Sequence, residues 1–134
     1  VVYLLFNALM MYKQLILVFL GGGLGSVMRF GVGRLLQYYQ LNTAFPWATF
    51  SVNIIGSFLI GLLLAFEFRL TDNFNVIKSF LIIGFCGGFT TFSSFAFENF
   101  YLIKEGQFGI FVTYSFISLI IGIAAVYLGW QMNQ

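Results

Sequence analysis

The stretch GGFTTFSSFAFE, residues 87–98, sets two adjacent glycines, four hydroxyl residues, four phenylalanines and a carboxylate inside an otherwise greasy chain. Its reading depends on what surrounds it. Of 134 residues 60% are hydrophobic and only 7% charged, with a mean hydropathy of +0.97, well outside the mix of soluble domains. The chain therefore reads as an all-α integral membrane protein, one domain over residues 1–134. A crossing helix needs roughly 20 apolar residues. Four spans fit, from about Lys13 to Leu36, Trp47 to Phe66, Val76 to Ile103 and Gln107 to Trp130. Only the second and fourth lack internal charges, since Arg29 and Arg34 sit near the end of the first and Glu98 sits inside the third. Residues 1–10 read as an upstream extension or a misplaced start before Met11. A cleaved signal peptide is not expected, because no basic segment precedes the apolar run and no small-residue cleavage site follows it.

Charge and cysteine usage exclude several function classes. Six basic and four acidic residues leave a net charge of +2, and the basic ones are scattered singly, unlike a nucleic-acid or phospholipid-headgroup patch. With no histidine and one cysteine, Cys86, the chain cannot build a His/Cys metal site or an internal disulfide. Cys86 reads as a small buried packing residue. Neither a Ser/His nor a paired-Asp arrangement exists, which argues against an intramembrane enzyme. LILVFLGGGLGSVMR lacks the third glycine and the following acid of a dinucleotide fingerprint.

Four spans put both termini on one side, so Lys and Arg on the two faces can be compared. Lys13, Arg69 and Lys78 fall on one, Arg29, Arg34 and Lys104 on the other. That balance gives insertion almost no instruction. It fits a dual topology in which opposed copies pair about an in-plane two-fold axis; a single topology set by another signal is the alternative. Pro46 stands at the mouth of the second span, after the interfacial segment QYYQLNTAF, and EFRLTDNFN between the second and third spans reads as an aqueous loop. Gly21 and Gly25, Gly56 and Ser57, and Gly84 and Gly88 mark close helix approaches.

Polar residues recur at helical spacing. Thr49, Asn53 and Ser57 form one line, Thr91, Ser94 and Glu98 a second, and Tyr114, Ser118 and Gly122 a third. Such lines suit a pathway through the bundle, or hydrogen bonds to neighbouring helices and to their own carbonyls. Gly87, Gly88, Thr90 and Thr91 form the weakest helix in the chain, and a break there would free carbonyls that protein, water or a cation must satisfy. Phe92 and Phe95 lie one turn apart. Their positive ring rims can attract an anion edge-on, although such a pair also serves as plain packing.

Together with PWATFSVNIIGSFLIG and GGGLGSVMRFGVGR, the quoted stretch resembles the Fluc (CrcB-like) fluoride channels of prokaryotes across essentially all four spans. The resemblance implies an antiparallel dual-topology homodimer in the cell membrane, with a break in the third span and two pores. These would pass fluoride passively out of the cytoplasm, down its electrochemical gradient. It further implies that Phe92 and Phe95 meet the ion edge-on and that Asn53 donates to it. Thr91, Ser94, Tyr114 and Ser118 would match or flank a polar track. The carbonyls of Gly87 and Thr90 correspond to ligands of a structural sodium ion at the dimer interface, and Arg29 to a vestibule residue concentrating anions. Gly122 stands where some relatives carry serine, and Glu98 is expected to be hydrogen-bonded or near the pore end. A fluoride/proton antiporter using Glu98 is one rival reading. A small multidrug exporter is another, but it would need a carboxylate deep in the first span, where none occurs; a non-transporting scaffold is disfavoured by the polar lines.

Overall fold

A chain in lipid has no water to satisfy its backbone, so an apolar sequence of this length has only helices or a closed barrel available. The structure, a computed structural model describing residues 2–39, 44–66 and 74–132 (side chains of 2, 4–6 and 74 excepted), is built of helices joined by short non-helical links. Helix α1 is Val2–Tyr38 and α2 is Trp47–Ala65. The third, α3, runs through Phe74–Ile77, a π-helical stretch Lys78–Cys86 and a last turn Gly87–Phe89. Then come α4, Phe92–Lys104, and α5, Phe108–Gln131. Among the described residues four helical runs are long and apolar enough to cross a membrane: Asn7–Tyr38, Trp47–Ala65, Asn75–Lys104 and Phe108–Gln131. The 19 residues of α2 reach about 28 Å, close to the ~30 Å hydrocarbon layer.

Three spans begin and end close to where the charge-free intervals place them. The first begins earlier, because α1 continues without interruption through residues 2–12 and reaches 37 residues, about 55 Å. Most of EFRLTDNFN and the middle of QYYQLNTAF (40–43) lie outside the described residues. Between α4 and α5 the sharp reversal is built on Gly106, at φ 70°, a conformation that costs glycine little. Its N–H donates to the Ile103 carbonyl and that of Gln107 to Leu102, the paired bonds of a Schellman cap.

Helix contacts are made at small residues. A Cβ on Gly21 or Gly25 would collide with the main chain of α3 at Phe80 and Phe85, and one on Gly88 with Gly22. On the other side α2 packs extensively against α5, with Gly61 against the Val126 carbonyl and Gly129 against that of Phe58. Close backbone approach of this kind is what drives helix association where lipid removes the hydrophobic incentive. Gly61 and Gly129 are not among the contacts the sequence suggests. Cys86, as expected, is fully buried, together with Tyr114 and Val52. Large apolar side chains such as Phe19, Phe30, Val27 and Ile123 cover the outside, a surface suited to lipid.

Candidate functional site: a polar junction between α3 and α4

Thr90 and Thr91 stand between α3 and α4 in extended dihedrals, φ −83° and ψ 160° for the first, φ −152° and ψ 118° for the second. Extended backbone at this depth leaves main-chain groups without helical partners. Asn53, midway along α2, supplies them: its Nδ2 donates to the Thr91 carbonyl at 3.2 Å and its Oδ1 accepts from the Thr91 N–H at 2.8 Å. An amide side chain carries both a donor and an acceptor, so one residue meets both needs. The Thr91 hydroxyl then caps α4, accepting from the Ser94 N–H at 3.2 Å and donating to Ser94 Oγ at 3.1 Å. Upstream, the N–H and the hydroxyl of Thr90 both donate to the Cys86 carbonyl, each at 2.9 Å.

These arrangements have a second consequence. In an unbroken helix the Thr91 N–H would serve the Gly87 carbonyl and the Ser94 N–H that of Thr90. Here they go to Asn53 and to the Thr91 hydroxyl. Two carbonyls are thereby released from intrahelical bonding, and a Cβ built on Gly87 would meet open space. The glycines themselves stay helical; the extended residues are the threonines.

Beside the junction lies an open groove of about 620 Å³. It gathers Asn53, Ser57, Thr90, Thr91, Phe92, Phe95 and Ser118 of the residues singled out by sequence, along with Asn99 and Ser115. The rings of Phe92 and Phe95 are 6.0 Å apart and tilted by 39°, and Phe95 leans on Tyr114 at 5.0 Å. Phe92 is 79% exposed. Ser118 Oγ, in contrast, is a buried hydroxyl without a hydrogen-bond partner. Arg29 and Ser94 line a separate cavity of about 310 Å³, with Thr49 and Thr91. Thr91 borders both spaces. Tyr114 is fully buried, its hydroxyl donating to Glu98 Oε2 at 2.8 Å while Thr49 donates to Oε1 at 2.5 Å. Glu98 is thus hydrogen-bonded between α2 and α5.

Asn99 and Ser115 escape the sequence reading. Ser115 donates to Asn99 Oδ1 at 2.9 Å, a pairing that depends on the register of α4 against α5. No spacing along either segment announces it.

The family model for the CrcB-like protein, Camphor Resistance (CrcB), matches residues 16–130. The chain belongs to the CrcB-like family. The resemblance drawn from residues 87–98 and their companion motifs is borne out. Among CrcB-like relatives, a protein of Phocaeicola vulgatus is 47% identical over 122 residues, covering 91% of this chain and 99% of its own length. One of Bacteroides fragilis is 45% identical over 125 residues, covering 91% and 97%. One of Thermus thermophilus is 43% identical over 123 residues, covering 90% and 95%. Each of the three is named a fluoride-specific ion channel FluC. With its four spanning helices, this CrcB-like chain is a multi-pass protein of the cell membrane, and it is not an enzyme.

Proposed function

We propose that the chain is a passive, fluoride-selective channel that lets cytoplasmic fluoride leave down its electrochemical gradient. One observation carries the reading: the unpartnered, buried Ser118 hydroxyl shares a groove with the Asn53 amide and two tilted phenylalanine rings. A hydroxyl orphaned in a low-dielectric interior is costly unless something occupies it. The groove offers O–H and N–H donors with ring rims and no carboxylate, a set suited to a small, strongly hydrated anion. The relatives' names point to the same ion. In this reading Phe92 and Phe95 meet fluoride edge-on and Asn53 and Ser118 donate to it. Thr91, Ser94 and Tyr114 flank its path, and Arg29 raises the anion concentration in the smaller cavity.

The groove is open on one side, with Phe92 exposed along it. A second copy inserted the opposite way up closes it, an assignment supported by the even split of Lys and Arg between the two faces. Two copies then enclose two pores. The carbonyl oxygens of Gly87 and Thr90, relieved of their helical donors, suit a hard monovalent cation, and they would hold a sodium ion at the dimer axis. Such an ion supplies positive charge that fixes the junction. A proton-coupled antiporter is less favoured, since both oxygens of Glu98 already accept hydrogen bonds from neighbouring helices.

The test is efflux from potassium-loaded liposomes containing the purified chain, started with valinomycin and followed by fluoride and chloride electrodes. Fluoride release without chloride release is expected. Release of neither ion from vesicles holding folded protein refutes the channel, and release that requires a proton gradient refutes its passive form.

A further inference from the structure

Two hydrogen bonds cross from α4 to α5 at one and the same sequence offset. Tyr114 donates to Glu98 Oε2 at 2.8 Å, and the next residue on each helix repeats the tie, Ser115 donating to Asn99 Oδ1 at 2.9 Å. The second rung has an extra member. Asn99 Nδ2 donates at 2.9 Å to the carbonyl of Phe95, one turn earlier on α4. That bond fixes the rotation of the amide, because its nitrogen must face back along the helix. The oxygen is then held where Ser115 can reach it. Asn99 is 8% exposed, and both partners border the groove that contains Phe95.

We infer that Asn99 and Ser115 are positioning residues for the Phe95 ring, acting through the Phe95 carbonyl and the distance between α4 and α5. The inference rests on the channel reading. Phe95 is supported by Tyr114 at 5.0 Å and faces Phe92 at 6.0 Å. Ring contacts alone leave α4 free to slide along or rotate against α5. The Glu98–Tyr114 rung fixes one point of α4 against α5, whereas the ties of Thr91 and Glu98 to Asn53 and Thr49 run to α2. A second rung one residue on, anchored to the very turn that carries Phe95, removes that freedom. A ring rim attracts an anion only along a narrow direction, so a small rotation of α4 turns the rim away. Its bond to the Phe95 carbonyl is what couples Asn99 to the turn that carries the ring.

The test is a double-mutant cycle in the liposome efflux assay, with gel filtration in detergent to establish that each variant folds. Asn99→Leu keeps the volume and removes both bonds. It is expected to slow fluoride efflux about tenfold, short of the ~100-fold that a full ångström of misplacement costs a reacting pair. Phe95→Ile slows efflux by itself, and adding Asn99→Leu to it is expected to produce no further loss. Asn99→Ser, which can still donate to the carbonyl four residues back, recovers part of the rate. A purely structural role for Asn99 would instead slow the Phe95→Ile channel by the same factor as the wild type; that result overturns the inference, as does an Asn99→Leu rate equal to wild type. Should Asn99→Leu fail to fold, Ser115→Ala, which deletes only one donor, takes its place in the same cycle and is judged by the same two outcomes. A wild-type chain that releases no fluoride overturns the channel reading and this inference together, whereas a conducting wild type with an additive cycle overturns this inference alone.

Discussion

Replacing Asn53 with leucine isolates what the amide does for the backbone, because the side-chain volume stays close and both hydrogen bonds disappear. The Thr91 N–H and C=O lose partners at 2.8 and 3.2 Å, in a residue that is itself only 8% exposed. Leaving a buried polar group unsatisfied costs about 1–3 kcal/mol, which sets an upper range of roughly 2–6 kcal/mol for the pair. Side-chain hydrogen bonds between membrane helices measure lower, about 0.6–1.7 kcal/mol each, since the unfolded chain in lipid also finds partners. Two of them give a lower range of about 1–3 kcal/mol. The ranges overlap at about 2–3 kcal/mol, a shift of roughly 30- to 150-fold in the folding equilibrium. The assay is unfolding by increasing SDS fraction in mixed micelles, with helicity as the signal. Ser57→Ala, one turn along α2 on the same groove, serves as the control. An Asn53→Leu midpoint no lower than that of the control refutes the claim that Asn53 staples the Thr90–Thr91 junction.

Three further outcomes follow from particular contacts. Gly129→Leu drives a side chain into the Phe58 carbonyl, and because main chain cannot step aside the loss should reach about 3 kcal/mol, the upper end for overpacking; Gly23→Ala, which meets nothing, should leave the SDS midpoint where it was. Tyr114→Phe keeps the ring against Phe95 but withdraws the donor from Glu98, and an interhelical side-chain bond in lipid sets the loss at about 0.6–1.7 kcal/mol, read in the same unfolding assay. Sodium, if held by the Gly87 and Thr90 carbonyls, should stabilise the folded dimer by ~1.4 kcal/mol per tenfold rise in concentration above its dissociation constant. N-methylglucamine should not, and equal melting curves in the two salts refute the site.

The spans were legible because hydrocarbon tolerates so little. Charge is scarce enough that Lys78, Lys104 and the polar segment after Phe66 bracket the helices almost by themselves, and the structure moves those ends by only a residue or two. The start of α1 was not legible in the same way: Lys13 is a single charge in an apolar run, which a helix can carry through without interruption. The π-helical stretch Lys78–Cys86 has no cue in residue type. Glycine spacing marked Gly21 and Gly25, a turn apart on α1, as a place of close approach, and the structure sets α3 there. It missed α2–α5, whose contact joins Gly61 and Gly129 singly, one on each helix.

The polar lines were legible as lines, but their meaning depended on what each group faces. Thr49, Asn53 and Ser57 share one helical stripe, yet Thr49 is bound to Glu98 and Asn53 to the Thr91 backbone. In a medium without water a polar side chain is held first by whichever unsatisfied group lies nearest, and spacing along one helix cannot say which group that is. The same logic separates Tyr114 from Ser118, neighbours on one stripe of α5. Tyr114 is long enough to reach Glu98, so its hydroxyl is satisfied within the chain. Ser118 Oγ meets no partner among the described residues and borders the groove. Side-chain reach, set against the register of the facing helix, thus divides a periodic row of hydroxyls into those that hold the bundle together and one that is left without a partner.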